Sequence, residues 1–174
     1  MTRNRMCQIA FAGCLSIMIF CSCNSGQSQG GYYSSQTEVE KPAETDLSDC
    51  YDQIKDLSHK MQEEGSAFWE QITPVSQDYP TSACALTEAH NHGMFIDGYL
   101  SAVVQGDNVI ANLQHIDSEC YHVERFCADG IVELRNDNEY ISASFKDSWI
   151  SVLKRISNYS SSIREQVQII RNNQ

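Results

Sequence analysis

The chain has 174 residues, with 23 acidic against 12 basic, for a formal charge of −11. That length bounds it at one domain. The acidic balance excludes a nucleic-acid partner, which clustered Lys and Arg would grip, and a polybasic hold on anionic lipid.

The first stretch sets the location. Arg3 and Arg5 precede an apolar run, Ile9 to Phe20, which closes on Phe20-Cys21-Ser22-Cys23. This is a basic start, an apolar segment too short to span a bilayer, and a small residue just before a cysteine. It resembles a bacterial lipoprotein signal peptide, residues 1–22, with Cys23 as the acylated residue. The resemblance implies attachment to the membrane through N-terminal acyl chains. Asn24 is not an inner-membrane retention signal of the aspartate kind, which favours the outer membrane, facing the periplasm or the cell surface. All the acidic residues follow Cys23, so the processed chain carries 10 basic and 23 acidic residues, a formal charge of −13. Residues 23–44 are polar and rich in Gly, Ser and Gln, and read as a flexible tether.

Residues 45–174 read as an all-α domain. A first helix is expected from Asp46 to Ile72, because Leu47, Cys50, Ile54, Leu57, Met61, Gly65, Phe68 and Ile72 recur at three- and four-residue steps. Pro74 ends it. A second helix is expected from Thr81 to Gln105, with Leu86, Ala89, Gly93, Ile96 and Leu100 inward. Gly106-Asp107 stops it, and a short third helix follows, Asn108 to Ile116. A loop through Ser118 and Glu119 leads to a fourth, Tyr121 to Arg135. Asn136-Asp137-Asn138 is turn chemistry, with Asp137 as a cap for a last helix from Glu139 to about Arg171. The serines between Ser157 and Ser162 weaken helix propensity enough for a break there. The expectation is a disulfide-braced bundle of four to six helices. Cys50, Cys84, Cys120 and Cys127 form an even set in an exported domain, which reads as two disulfides with three open pairings.

The segment Glu88-Ala-His90-Asn-His92-Gly-Met-Phe-Ile-Asp97 is the candidate site. His90 and Asp97 are seven apart and share a helical face. With His115 or His122 they form a candidate metal set, against the alternative of a buried polar network. Gly93 and Gly98, with Ala89 and Ala102, make a smooth strip for close helix packing or for a partner. No nucleophile elbow, phosphate loop or placed carboxylate pair is present. The domain therefore reads as non-enzymatic, needing no cofactor and acting by binding, with a metal-dependent enzyme using His90 and Asp97 as the alternative. From Gly98 onward, Gly98-Tyr99-Leu-Ser-Ala-Val103, then Cys120, then Ile131-Val-x-x-Leu134, then an apolar helix around Trp149 to Leu153 is similar to small exported all-helical immunity proteins. Those protect bacteria from cell-wall amidases delivered by type VI secretion. That resemblance covers the C-terminal half and implies a periplasmic inhibitor that plugs a toxin's active site.

Overall fold

The computed structural model describes residues 47–137 and 140–174. Cys23, the signal-like stretch, the tether and Glu139 lie outside them. Four helices form: α1 (Ser48–Ile72), α2 (Pro80–Val104), α3 (Val109–Asn136) and α4 (Ala143–Asn172), with a 3₁₀ turn, Thr73–Val75, after α1. No strand occurs among the described residues. The all-α bundle is thus the fold, with four helices.

The buried positions explain why these helices pack as they do. In α1 they are Ile54, Ser58, Met61, Gly65, Phe68 and Ile72. In α3 they are Leu113, Ile116, Cys120, Val123, Cys127, Gly130 and Leu134. Steps of three and four alternate without a slip, and the same holds for Ser82 to Val103 in α2 and Trp149 to Ile170 in α4. This is a heptad repeat, whose mean period of 3.5 keeps one seam facing its neighbours in a left-handed supercoil. Cross-contacts run antiparallel. Ser58 meets Asp97 while Ser66 meets His90. Ser82 meets Gly130 while Tyr99 meets His115. Met61 meets Ser160 while Phe68 meets Phe145. Each helix therefore packs on its sequence neighbour, and α4 closes the ring on α1.

The unbroken seam overrules the expected loop at Ser118 and Glu119 and carries the last helix through the serines where a break had been left open. Helix α3 runs straight through Ser118 and Glu119, because they are off-seam positions between buried Ile116 and Cys120. Helix α4 runs through its serines in the same way. A serine costs at most about 0.7 kcal/mol of helix propensity relative to alanine. Burying Ile156 and Ile163 completely contributes about 1.5–3 kcal/mol each, and Ser160 returns its hydroxyl to the Ile156 carbonyl at 3.3 Å.

The helix ends differ in detail from expectation. Ser142, not Asp137, caps α4, accepting from the Phe145 N–H at 3.2 Å. Asp137 instead receives Lys146, 3.3 Å away. The first free N–H groups of α2 are taken by a carboxylate from another helix. Glu133 accepts from Thr81 N at 3.2 Å and Ser82 N at 2.7 Å. This long-range cap places a negative charge on the positive end of the helix dipole. Gly106, at φ +81°, turns the chain from α2 into α3, a conformation open to glycine without the Cβ penalty.

No disulfide is present among the described residues, where Cys120 and Cys127 are buried, Cys50 half-buried and Cys84 exposed. Cys120 and Cys127 occupy equivalent seam positions one heptad apart on α3. Seven residues of helix separate them by about 10 Å, beyond the Cα separation a disulfide tolerates. Cys50 sits in the first turn of α1 and Cys84 in the second turn of α2, at opposite ends of an antiparallel pair. The cysteines at the seam are small core residues. Burial pushes both thiols up, with Glu124 adding to it, and Cys127 reaches about 12.

Candidate functional site

Helices α1 and α2 approach each other more closely than ordinary side chains would allow. A Cβ placed on Gly65 would lie 2.6 Å from the Leu86 carbonyl oxygen. One on Gly93 would lie 2.6 Å from Gln62 Cγ and 3.0 Å from the Ser58 carbonyl oxygen. Gly93 therefore does what its place in the sequence suggested. Gly98 does not, since no described residue stands within 4 Å of its Cβ position and it is exposed among them.

Where the two backbones meet, a row of polar side chains lines the rim of the seam. Asp97 is its centre. Its Oδ2 accepts from Gln62 Nε2 at 2.7 Å and lies 3.2 Å from His59 Nε2. Its Oδ1 contacts Ser58 Oγ, which also reaches the Lys55 carbonyl at 2.9 Å. Ser58 is fully buried, so these contacts meet the hydrogen-bonding need of a polar group inside the core. His90 Nδ1 lies 3.0 Å from Ser66 Oγ and 3.4 Å from the Gln62 carbonyl oxygen. Gln62 thus serves both predicted residues, Asp97 through its amide and His90 through its carbonyl. His90 and Asp97 do share one face, but each bonds to α1 and not to the other.

A cavity opens on either side of this row. One of about 380 Å³ lies beside Asp97, lined by Tyr51, Lys55, His59, Leu100 and Val104 among others. The second, about 410 Å³, lies beside His90, between Ser66, Trp69, Glu70, Leu86 and Thr87. Trp69 and Val104 are exposed, at 39% and 60%. The two cavities are separate, sharing no lining residue, and lie along the α1–α2 groove on either side of the polar row, each beside an exposed apolar residue.

The other flank of α2 is closed by rings. His92 contacts Glu119 through Nδ1 and lies 3.4 Å from Glu88 through Nε2. Its ring stacks on His122 at 5.8 Å and meets Phe126 at 6.1 Å. Tyr99 stacks on His115 at 4.8 Å. His115 and His122, the expected third metal ligands, are therefore on the side of α2 away from His90 and Asp97. Among the described residues no group of three or more His, Cys, Asp or Glu side chains is placed to hold a metal ion. No described helix is long and apolar enough to cross a membrane.

His59, Gln62, Ser58 and Ser66 carry no sequence motif and were not among the expected site residues. The usable signal was positional. Ser58 is a polar residue on the buried stripe of α1, and His59, Gln62 and Ser66 flank that stripe around Gly65, a small residue on the seam facing the small residues of α2. No protein-family model, curated protein or solved structure matches this chain.

Proposed function

We propose that this chain is a lipid-anchored envelope protein that acts by binding a protein partner, with the α1–α2 groove as its recognition surface. The observation that carries the reading is the groove itself. Asp97 is a carboxylate held in place by Ser58, Gln62 and His59, between two cavities and two exposed apolar side chains. Fixed polar groups in an apolar concavity are what a recognition site requires. Acid–base or covalent chemistry is less well served. Ser66 and His90 form a serine–histidine contact, but the carboxylate of Asp97 is engaged elsewhere and does not orient that imidazole.

Cys23 would hold the acyl chains, and the 25 residues from there to the start of α1 could extend at most about 80–90 Å. The groove could thus meet a partner well above the headgroups. Two experiments test the reading. Metabolic labelling with palmitate should mark the wild-type chain and not Cys23→Ser. Capture from an envelope extract should retain a stoichiometric protein that Trp69→Ala and Asp97→Ala both release while helical circular dichroism is unchanged. A cell-wall hydrolase as that protein would narrow the role to an inhibitor. Retention that is indifferent to both substitutions would remove the groove from the function.

A further inference from the structure

Where the start of α2 meets the end of α3 there is a further cavity, of about 400 Å³. Its wall is Asp78, Tyr79, Glu133, Asn136, Asp137 and Tyr140, none of which lines the groove cavities. The wall carries three carboxylates and no basic residue. Two of the carboxylates have fixed duties. Glu133 caps α2 through Thr81 N and Ser82 N, and Asp137 pairs with Lys146 at 3.3 Å. Asp78, in the turn before α2, is exposed and has no side-chain partner among the described residues. Tyr79 is the independent observation. It is 3% exposed, and its hydroxyl has no partner within hydrogen-bond distance among the described residues. A polar group so buried ordinarily has one. Its ring meets Trp149 edge-on at 5.7 Å. Burial first, then the Asp137 and Asp78 carboxylates and Tyr140, push the phenol up to about 12. Those three neighbours are all on the cavity wall, so the hydroxyl is turned toward the cavity and lies in a negative field.

We propose that this cavity binds a primary ammonium group, seated between Asp78 and the ring of Tyr140 with the Tyr79 hydroxyl at its floor. Hydrogen-bonding capacity selects the ligand. Ionised carboxylates only accept, and a phenol oxygen still accepts when its O–H is given to a carboxylate. The wall is therefore rich in acceptors, with the Asn136 amide as its side-chain N–H donor. It fits a cation that brings N–H donors of its own. An ammonium carries three donors on one compact charge and so meets acceptors from several sides, whereas a guanidinium asks for a planar, bidentate pair. A metal ion fits less well, because among the described residues no group of three or more His, Cys, Asp or Glu side chains is placed to hold one. Tyr140, 81% exposed, adds an aromatic face for the cation. The volume leaves room for a short alkyl chain behind the nitrogen. Two sources carry this group, a free amine and a protein lysine, and the experiment separates them. The chain's formal charge of −11 draws cations to it generally, so the test must also separate this site from that background.

Saturation-transfer NMR of the full chain in a neutral detergent, at fixed ionic strength, tests this with n-propylammonium. The micelles are common to all variants, so the differences between them are read. Wild type should bind saturably. Tetramethylammonium has the charge without an N–H donor and should bind about tenfold more weakly. Tyr79→Phe keeps the ring on Trp149 and removes the hydroxyl, and it should weaken propylammonium binding about threefold or more. Asp78→Asn, at an exposed position, should weaken it about tenfold and carries the test if Tyr79→Phe unfolds. Glu165→Gln, an exposed carboxylate toward the far end of α4, should change nothing. Nα-acetyl-lysine methylamide binding as tightly as propylammonium would assign the site to a protein lysine, and binding of propylammonium alone would assign it to a free amine. The proposal is overturned if tetramethylammonium binds as well as propylammonium, if Glu165→Gln weakens binding as much as Asp78→Asn, or if Tyr79→Phe and Asp78→Asn are both without effect. Displacement of propylammonium by Mg²⁺ too dilute to screen charge would also overturn it and assign the carboxylates to a metal.

Discussion

Toward α1, helix α2 presents Gly93 and meets Gly65, so the two backbones come together and the seam is filled by main chain. Toward α3 it presents His92 and Tyr99, which meet His122, Phe126 and His115, so that flank is filled by rings. The consequence reaches the surface. Where glycine brings the backbones close, the side chains on the rim have no seam to fill, and they stand out as a polar row with a cavity on either side. Where rings fill the flank, the polar groups are used up inside it, as Glu88 and Glu119 are on His92. One helix thus carries a flank suited to recognition and a flank suited to holding the bundle.

If that contrast is right, Gly65→Ala should have the largest effect on folding. The added methyl meets the rigid Leu86 carbonyl, and such overpacking costs about 1–3 kcal/mol, more than alanine's helix propensity of about 1 kcal/mol returns. Urea denaturation should show the loss of stability and capture should show loss of the partner. A gain in stability would mean that the close approach is not needed. On the other flank, Phe126→Ala should cost at least about 1 kcal/mol through lost burial and ring packing and leave partner binding intact.

Asp97→Ala should divide the two properties in the opposite way. It should abolish binding at a stability cost of about 1 kcal/mol, because Ser58 keeps its bond to the Lys55 carbonyl. Gly98→Ala should be smaller still and of the other sign, stabilising by up to about 1 kcal/mol. A destabilisation there would show a contact that the open Cβ position does not reveal. Alkylation checks the core without altering it. At mildly alkaline pH Cys84 should react first, while Cys120 and Cys127 stay protected until denaturant is added, since burial both hides these thiols and disfavours the reactive thiolate.

Much of the bundle was legible in the chain. The stripe from Ile54 to Ile72 and that from Leu86 to Val103 fall where apolar residues recur, and Pro74 and Gly106 punctuate them. The loop expected at Ser118-Glu119 was a misreading: local composition was weighed against helix, whereas the phase of the buried positions continues through it, as it does through Ser157 to Ser162, where a break had been left open, and burial outweighs propensity. Composition and export suggested two disulfides with three open pairings, and the heptad removes the pairing of Cys120 with Cys127, which share a seam position on one helix.

The candidate site was half legible. His90, Gly93 and Asp97 stood out because histidine, glycine and aspartate are unusual on an apolar helix. His59, Gln62 and Ser66 did not, because such residues are ordinary on a helix surface, and Ser58 did not because only the packing buries it. Helix content, the inward residues and the turn at Gly106 follow from periodicity and backbone chemistry, which act over a few residues and are written along the chain. The pairing of Gly65 and Gly93 with a carbonyl and a glutamine on the facing helix follows from the antiparallel register of α1 and α2. So does the turn of Asp97 toward Gln62 and away from His90. That register is set by packing across 24 to 39 positions of sequence, a distance over which no local preference can act.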